Sequence, residues 1–247
     1  MAGAALLRRL SWRLGTVVEV VDETPHVRTL VLELADWPEH RAGQHVDIRL
    51  TAEDGYRAER AYSIASAPGE PMAITVERLE DGEVSPYLTE VLREGDELEL
   101  RGPIGGYFVW GPDDGGPLLL VAGGSGVVPF RAMLRHRHRL GSEVATRLLY
   151  SSRTLDDVIY RAALDRPEPG LEVVQTLTRS QPPDWAGYSR RVDQDMLREV
   201  AWPAAETPLA FVCGPTSFVE TVASGLVDLG YAPARVKTER FGATGGR

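Results

Sequence analysis

Residues 118–129 read LLLVAGGSGVVP, and this stretch decides the fold. Residues 117–122 are a continuous apolar run, the signature of a strand buried on both faces. Gly123, Gly124 and Gly126 then turn the chain, and Pro129 falls in the first turn of a helix, where its missing N–H costs little. A strand, a glycine turn and a helix start make a dinucleotide site by physical logic. Glycine lets the backbone approach a diphosphate, and the helix N-terminus offers free N–H groups. Ser125 lies inside that turn. The full G-x-G-x-x-G pattern is missing, because Pro129 stands where the third glycine would be. A tight turn without any ligand is the plain alternative.

Downstream of this unit the period stays alternating. A helix follows with Val127, Phe130, Met133, Leu134 and Leu140 on one face and Arg131, Arg135, His138 and Arg139 on the other. Strands are predicted over 144–150, 171–176, 209–213 and 235–238, with helices around 155–164, 193–200 and 217–229. Strands alternating with helices give a parallel sheet covered on both faces. The strand ending at Tyr150 runs into Ser151, Ser152 and Arg153, with no carboxylate to hold a ribose diol. Hydroxyls and a guanidinium suit a 2′-phosphate, hence NADPH; a solvated arginine at a helix start is the alternative. Arg179, after the third strand, is a candidate second cation.

Upstream the pattern is different. Short strands are predicted over 14–21, 27–34, 44–50, 57–65, 72–79 and 97–101, broken by Gly, Pro and acidic clusters, as in a barrel or sandwich. One helix, 85–92, interrupts them, and Ser85 is placed to cap it. Gly, Pro and Asp crowd residues 111–116, where the linker is expected. The fold class is therefore an antiparallel Greek-key β-barrel at residues 1–112, followed by a Rossmann-like parallel α/β domain at residues 113–247.

Composition narrows the function. The 247 residues carry a net charge of −9, which argues against nucleic acid as a partner. Cys213 is the single cysteine, so no four-thiolate iron–sulfur cluster can be built from this chain, and no metal site is expected. No apolar run approaches the roughly 20 residues of a membrane span. Residues 1–10 have the charge order of a secretory signal reversed, so a cytoplasmic protein, monomeric by default, is expected.

Six segments in order resemble the ferredoxin–NADP reductase superfamily, most of all the reductase components of bacterial oxygenases. Residues 60–63, RAYS, resemble that family's flavin motif. The resemblance implies Arg60 on the flavin phosphate, Tyr62 packed on the isoalloxazine and Ser63 at flavin N5. Val76, Arg78, Gly82, Val84 and Ser85 fall in a stretch resembling the family's strand and helix start beneath the FAD diphosphate. Residues 101–108, RGPIGGYF, resemble its G-P-x-G-x-F, with an extra glycine that leaves Tyr107 and Phe108 competing for the aromatic position. GGSGVVP resembles its nucleotide turn. Cys213, Gly214 and Pro215 match its C-G-P beside the nicotinamide. Residues 237–242, KTERFG, resemble its terminal segment, which implies Glu239 near the nicotinamide or in a proton relay and Phe241 over the flavin.

The resemblance implies FAD, with FMN as second choice, and NADPH or NADH as co-substrate. It implies hydride transfer to the flavin and onward electron transfer to a separate acceptor such as a ferredoxin or an oxygenase component. Reduction of free ferric complexes or flavins, and a non-catalytic flavin-binding subunit, are the competing readings. The basic run Arg135–Arg139 reads as a solvated helix end, or else a docking patch.

Overall fold

The computed structural model describes residues 10–241. Gly242 and residues 1–9, both part of the sequence argument, lie outside the described residues. The first lobe is built from β1 (Arg13–Thr24), β2 (Val27–Glu33), β3 (His45–Thr51), β4 (Arg57–Ser63), β5 (Met72–Glu77) and β6 (Glu97–Ile104). They form one six-stranded sheet in the order β4-β3-β6-β1-β2-β5, with antiparallel pairing throughout. An Ile64–Ile74 bridge joins the two edges and makes the sheet barrel-like. The alternating strands point Val17, Leu30, Val46, Ile48, Ile74, Val76, Leu98 and Leu100 into one core. Leu88 and Leu92, from the short π-helical turn Tyr87–Val91 and its end, close that core.

The second lobe carries β7 (Leu118–Gly123), α1 (Val128–Arg139), β8 (Thr146–Ser152), α2 (Arg161–Leu164), β9 (Leu171–Leu177), α3 (Gln194–Val200), β10 (Leu209–Pro215), α4 (Thr216–Asp228) and β11 (Val236–Phe241). Its five strands are parallel, in the order β11-β10-β7-β8-β9. Helices α1 and α2 pack on one face of this sheet and α3 and α4 on the other. The α3/α4 face has its own core around Val121, Met196, Val219 and Leu226. The α1/α2 face shares a core with the first lobe: Phe108 meets Phe211 edge to face at 5.1 Å and lies 6.0 Å from Phe130. Among the described residues no helix is long and apolar enough to cross a membrane.

Three expectations are corrected. The predicted helix over 155–164 is two pieces, a 3-10 turn at Leu155–Asp157 and the four-residue α2. Between them Val158, Ile159 and Tyr160 are pulled into the core, and Tyr160 takes a left-handed backbone, φ 61°. Leu140 is exposed just beyond α1 rather than on its buried face. The basic run is a solvated end only in part: His138 and Arg139 are exposed, but Arg137 is 2% exposed and donates to the carbonyls of Val144 and Pro169 and to Glu168.

Candidate functional site

The glycine turn is built against the end of β10. A Cβ on Gly126 would collide with the Cys213 carbonyl, so only glycine lets these two segments meet. Gly123 and Gly214 are also in mutual contact range, and the Phe218 ring covers both: a Cβ on either would lie 3.0 Å from it. Gly124, at φ +57°, is different, because a Cβ there meets nothing within 4 Å. The turn is closed on the protein side and open on the other, as a backbone cradle for a phosphate requires. Ser125 is half-buried in the turn and Pro129 is buried as the second residue of α1.

Cys213 and Glu239 are directly paired in the β10–β11 register, at the C-terminal ends of parallel strands. Cys213 is fully buried, and burial followed by the Glu239 charge lifts its thiol pKa. Burial lifts Glu239 to about 7, and its buried Oε2 has no hydrogen-bond partner among the described residues. Pro215 is exposed beyond them, and Phe241 is half-buried at the end of β11.

On the first lobe Ser63 closes β4, with Oγ buried and without a partner among the described residues. Tyr62 is half-buried, and burial pushes its phenol up to about 12. Arg60 is exposed and ion-paired with Glu83 at 2.8 Å. Such an exposed pair is worth roughly 0–1 kcal/mol, so the guanidinium is available to a phosphate. Arg78 is paired with Glu90 and meets His26.

The stretch below them departs from expectation. Val76 and Val84 are core residues, so they can meet a ligand only through backbone. Ser85 does not cap the helix. Its Oγ accepts the Leu79 N–H at 3.0 Å and closes the loop around Gly82, whose Cβ would crowd that oxygen.

Just past the ends of β8 and β9 the Arg179 N–H donates to the Arg153 carbonyl at 2.8 Å, which places the two arginines side by side. Both are exposed, and among the described residues neither side chain makes an ion pair. Ser152 instead turns inward, with Oγ buried beside Tyr150 on the Leu148–Tyr150 face of β8, so of these residues the two arginines, and not this hydroxyl, face solvent. The competition between Tyr107 and Phe108 resolves by burial: Phe108 is core and Tyr107 is 61% exposed.

Sequence reasoning missed His45. It lies opposite Ser63 across β3–β4. The neighbouring pair is hydrogen-bonded, Ile64 N–H to Gln44 O at 2.9 Å, so His45 and Ser63 form the closer, non-hydrogen-bonded kind of pair. Burial lowers the His45 pKa. The alternating pattern after Gly43 could have placed it, had pairing been known. Phe218 was also missed, since a helical phenylalanine reads as ordinary core. Among the described residues there is no cluster able to hold a metal.

Ser63 Oγ and Glu239 Oε2, buried and without partners among the described residues, and a glycine turn open at Gly124 fit a flavin and a nicotinamide dinucleotide. The fold and these features define an oxidoreductase with one flavin-binding and one nucleotide-binding lobe. Residues 15–109 match the oxidoreductase FAD-binding domain family and residues 120–224 the oxidoreductase NAD-binding domain family. The chain belongs to the ferredoxin–NADP reductase superfamily. It is 36% identical to ferredoxin–NADP reductase B of Sorangium cellulosum, over 91% of this chain and 96% of that one. It is 34% identical to the glycine betaine monooxygenase reductase subunit of Chromohalobacter salexigens, over 92% of this chain. The match spans 63% of that relative's length. The FAD/NAD-binding domain of nitric oxide dioxygenase from Vibrio cholerae superposes with a TM-score of 0.83 at 26% identity, covering 93% of this chain and 98% of that one.

Proposed function

We propose that this chain takes a hydride from NADPH onto bound FAD and passes the electrons to a separate acceptor, a ferredoxin or an oxygenase component. The observation that carries the reading is the pair of buried, unpartnered oxygens, Ser63 Oγ and Glu239 Oε2, one on each lobe. A buried polar atom without a partner costs about 1–3 kcal/mol, and a ligand that satisfies both recovers that cost. The two lobes are taken as residues 1–112 and 113–247.

FAD, when bound, supplies the hydride acceptor and the route by which electrons leave. The protein positions and polarises. Arg60 and Arg78 bind flavin phosphates, with the backbone of Val76, Gly82, Val84 and Ser85 beneath them. Tyr62 packs on the flavin ring, and Ser63 donates to its reacting edge. Phe241 covers the other face. Gly123, Gly124, Ser125 and Gly126 hold the nucleotide diphosphate ahead of Pro129. Cys213, Gly214 and Pro215 line the nicotinamide, and Glu239, protonated near neutrality, holds a proton beside it. Arg153 and Arg179, with Ser152 behind them, favour the 2′-phosphate of NADPH over NADH.

The acceptor class is supported by the relatives, which include a glycine betaine monooxygenase reductase subunit, a ferredoxin–NADP reductase and a phenol hydroxylase P5 protein. Anaerobic titration of the purified protein with NADPH and then NADH tests the reading. Flavin absorbance is expected to bleach at one equivalent of NADPH. A colourless protein, or a yellow one that NADPH leaves oxidised, would defeat it.

A further inference from the structure

The two halves of the site lie on different lobes, and one short path of contacts connects them through Tyr160. Ser63 runs into Ile64, which bridges Ile74 of β5, and Thr75 follows. The Tyr160 hydroxyl donates to Thr75 Oγ1 at 2.5 Å. Next to Tyr160, the Ile159 N–H donates to the hydroxyl of Tyr150 in β8, at 3.2 Å. Tyr150 precedes Ser151, the register partner of Gly123 at the nucleotide turn. From Ser63 to Gly123, every step is a covalent bond, a ladder pair or a hydrogen bond.

The direction of the hydrogen bonds is determined. Thr29 Oγ1 lies 2.7 Å from Glu23 Oε1 and 2.8 Å from Thr75 Oγ1. A carboxylate only accepts, so Thr29 gives its proton to Glu23 and accepts from Thr75, which in turn accepts from Tyr160. Thr75 and Thr29 each give once and take once, and Tyr160 starts the run as a donor, an arrangement in which the bonds reinforce one another. Tyr160 is 6% exposed and Thr75 4%. Tyr160 also holds a left-handed backbone that a bulky side chain rarely takes, and such conformations persist where the surroundings over-determine them. A groove of about 660 Å³ lies beside this link, lined by Thr29, Ala65, Ala73, Arg131 and Tyr160, between lobes that are also joined by the shared core around Phe108 and by the Arg135–Glu70 ion pair. Arg131 stands 5.5 Å over the Tyr160 ring and steadies it from the groove side.

We propose that Tyr160 is a positioning residue for hydride transfer. Its hydroxyl, latched on Thr75, sets the angle between the lobes and so the approach of the nicotinamide to the flavin. The inference rests on the functional reading above. A latch of this kind acts on the rate of transfer in the bound complex, because small misplacements of reacting groups are costly. It leaves binding of either cofactor to residues on one lobe or the other.

The test uses the FAD-loaded full chain and four variants: Tyr160→Phe, Thr75→Val, their double and Thr75→Ser. Phenylalanine fills the same space, so the fold is retained. Reduction by NADPH is followed anaerobically by stopped flow, with NADPH deuterated at nicotinamide C4 as a second arm. Hydrogen–deuterium exchange is read over residues 72–77 and 158–164.

In Tyr160→Phe the saturating rate is expected to fall about tenfold, the loss of one buried hydrogen bond. The half-saturating NADPH concentration is expected to stay constant and the isotope effect to rise. Thr75→Ser keeps the wild-type rate. The double variant is no worse than Thr75→Val alone, because both substitutions break the Tyr160–Thr75 bond and only Thr75→Val also breaks the bond to Thr29. A wild-type rate in Tyr160→Phe, a loss confined to half-saturation, or additive losses would overturn the proposal. Should the wild-type chain leave NADPH unoxidised, the functional reading fails, and exchange alone decides the latch. Unchanged protection in Tyr160→Phe then refutes it, and lost protection on both lobes upholds it.

Discussion

Glu239 and Cys213 occupy facing positions of the β10–β11 ladder, and burial holds the carboxyl at a pKa of about 7 beside a fully buried thiol. The ordinary value for that carboxyl is 4.5. A group whose folded pKa lies above its unfolded one binds its proton more tightly in the native state. The stability it contributes is present in full below pH 4.5 and is lost as pH rises through about 7. The difference amounts to about 3 kcal/mol at most, at 1.36 kcal/mol per unit. Glu239→Gln, neutral at every pH, should match wild type at pH 5 and melt several degrees higher at pH 8. Melting curves of both proteins at the two pH values check this. An equal difference at both would mean that the carboxyl does not titrate in this range.

Arg153 and its neighbour Arg179 are both exposed past the ends of β8 and β9. A charged hydrogen bond is worth roughly 1.5–3 kcal/mol. Arg153→Ala should therefore lose about tenfold to a hundredfold in kcat/KM with NADPH and little with NADH. Steady-state kinetics with both nucleotides decides; parallel losses would remove the 2′-phosphate from this corner.

Gly124 and Gly126 separate ligand space from packing space. At Gly126 an added methyl strikes the Cys213 backbone, so Gly126→Ala should fold poorly or melt far lower. At Gly124 the space is open, and the left-handed backbone costs about 1 kcal/mol for alanine. Gly124→Ala should keep its fold and its flavin, yet bind NADP+ much more weakly. Calorimetric titration with NADP+ tells them apart, and undiminished affinity in Gly124→Ala would refute the phosphate cradle.

Arg60 loses little by leaving Glu83, so its removal should be felt by the cofactor and not by the fold. Arg60→Ala is expected to purify depleted in flavin with a near-normal melting temperature once flavin-free proteins are compared. Full yellow occupancy would reassign the phosphate contact.

Arg137 is a structural cation. Removing a buried guanidinium strands Glu168 and two carbonyls, at about 3–5 kcal/mol. Arg137→Ala should melt markedly lower. Its rate with small electron acceptors, measured well below the melting point, should stay at the wild-type value.

Both fold halves were legible because their periods differ. Strand alternation before residue 111 and buried runs followed by helices after it are local properties, written in consecutive residues. The glycine turn was readable for the same reason. What failed was local reading of residues whose environment is remote. Val158–Tyr160 look helical, but the first lobe captures Tyr160 through Thr75, 85 residues away in sequence. Arg137 looks like a surface charge until Glu168 and the Pro169 carbonyl close over it. Ser85 looks like a cap until the loop at Leu79 claims its oxygen.

The sequence by itself determined the two-lobed architecture, the order of its motifs and the glycine turn, because hydrophobic period and backbone permissiveness act over a few residues. The tertiary structure alone decided which of these residues are neighbours: Glu239 beside Cys213, His45 opposite Ser63, Arg153 against Arg179. Those pairings depend on strand register and order, which are set by how the whole core packs.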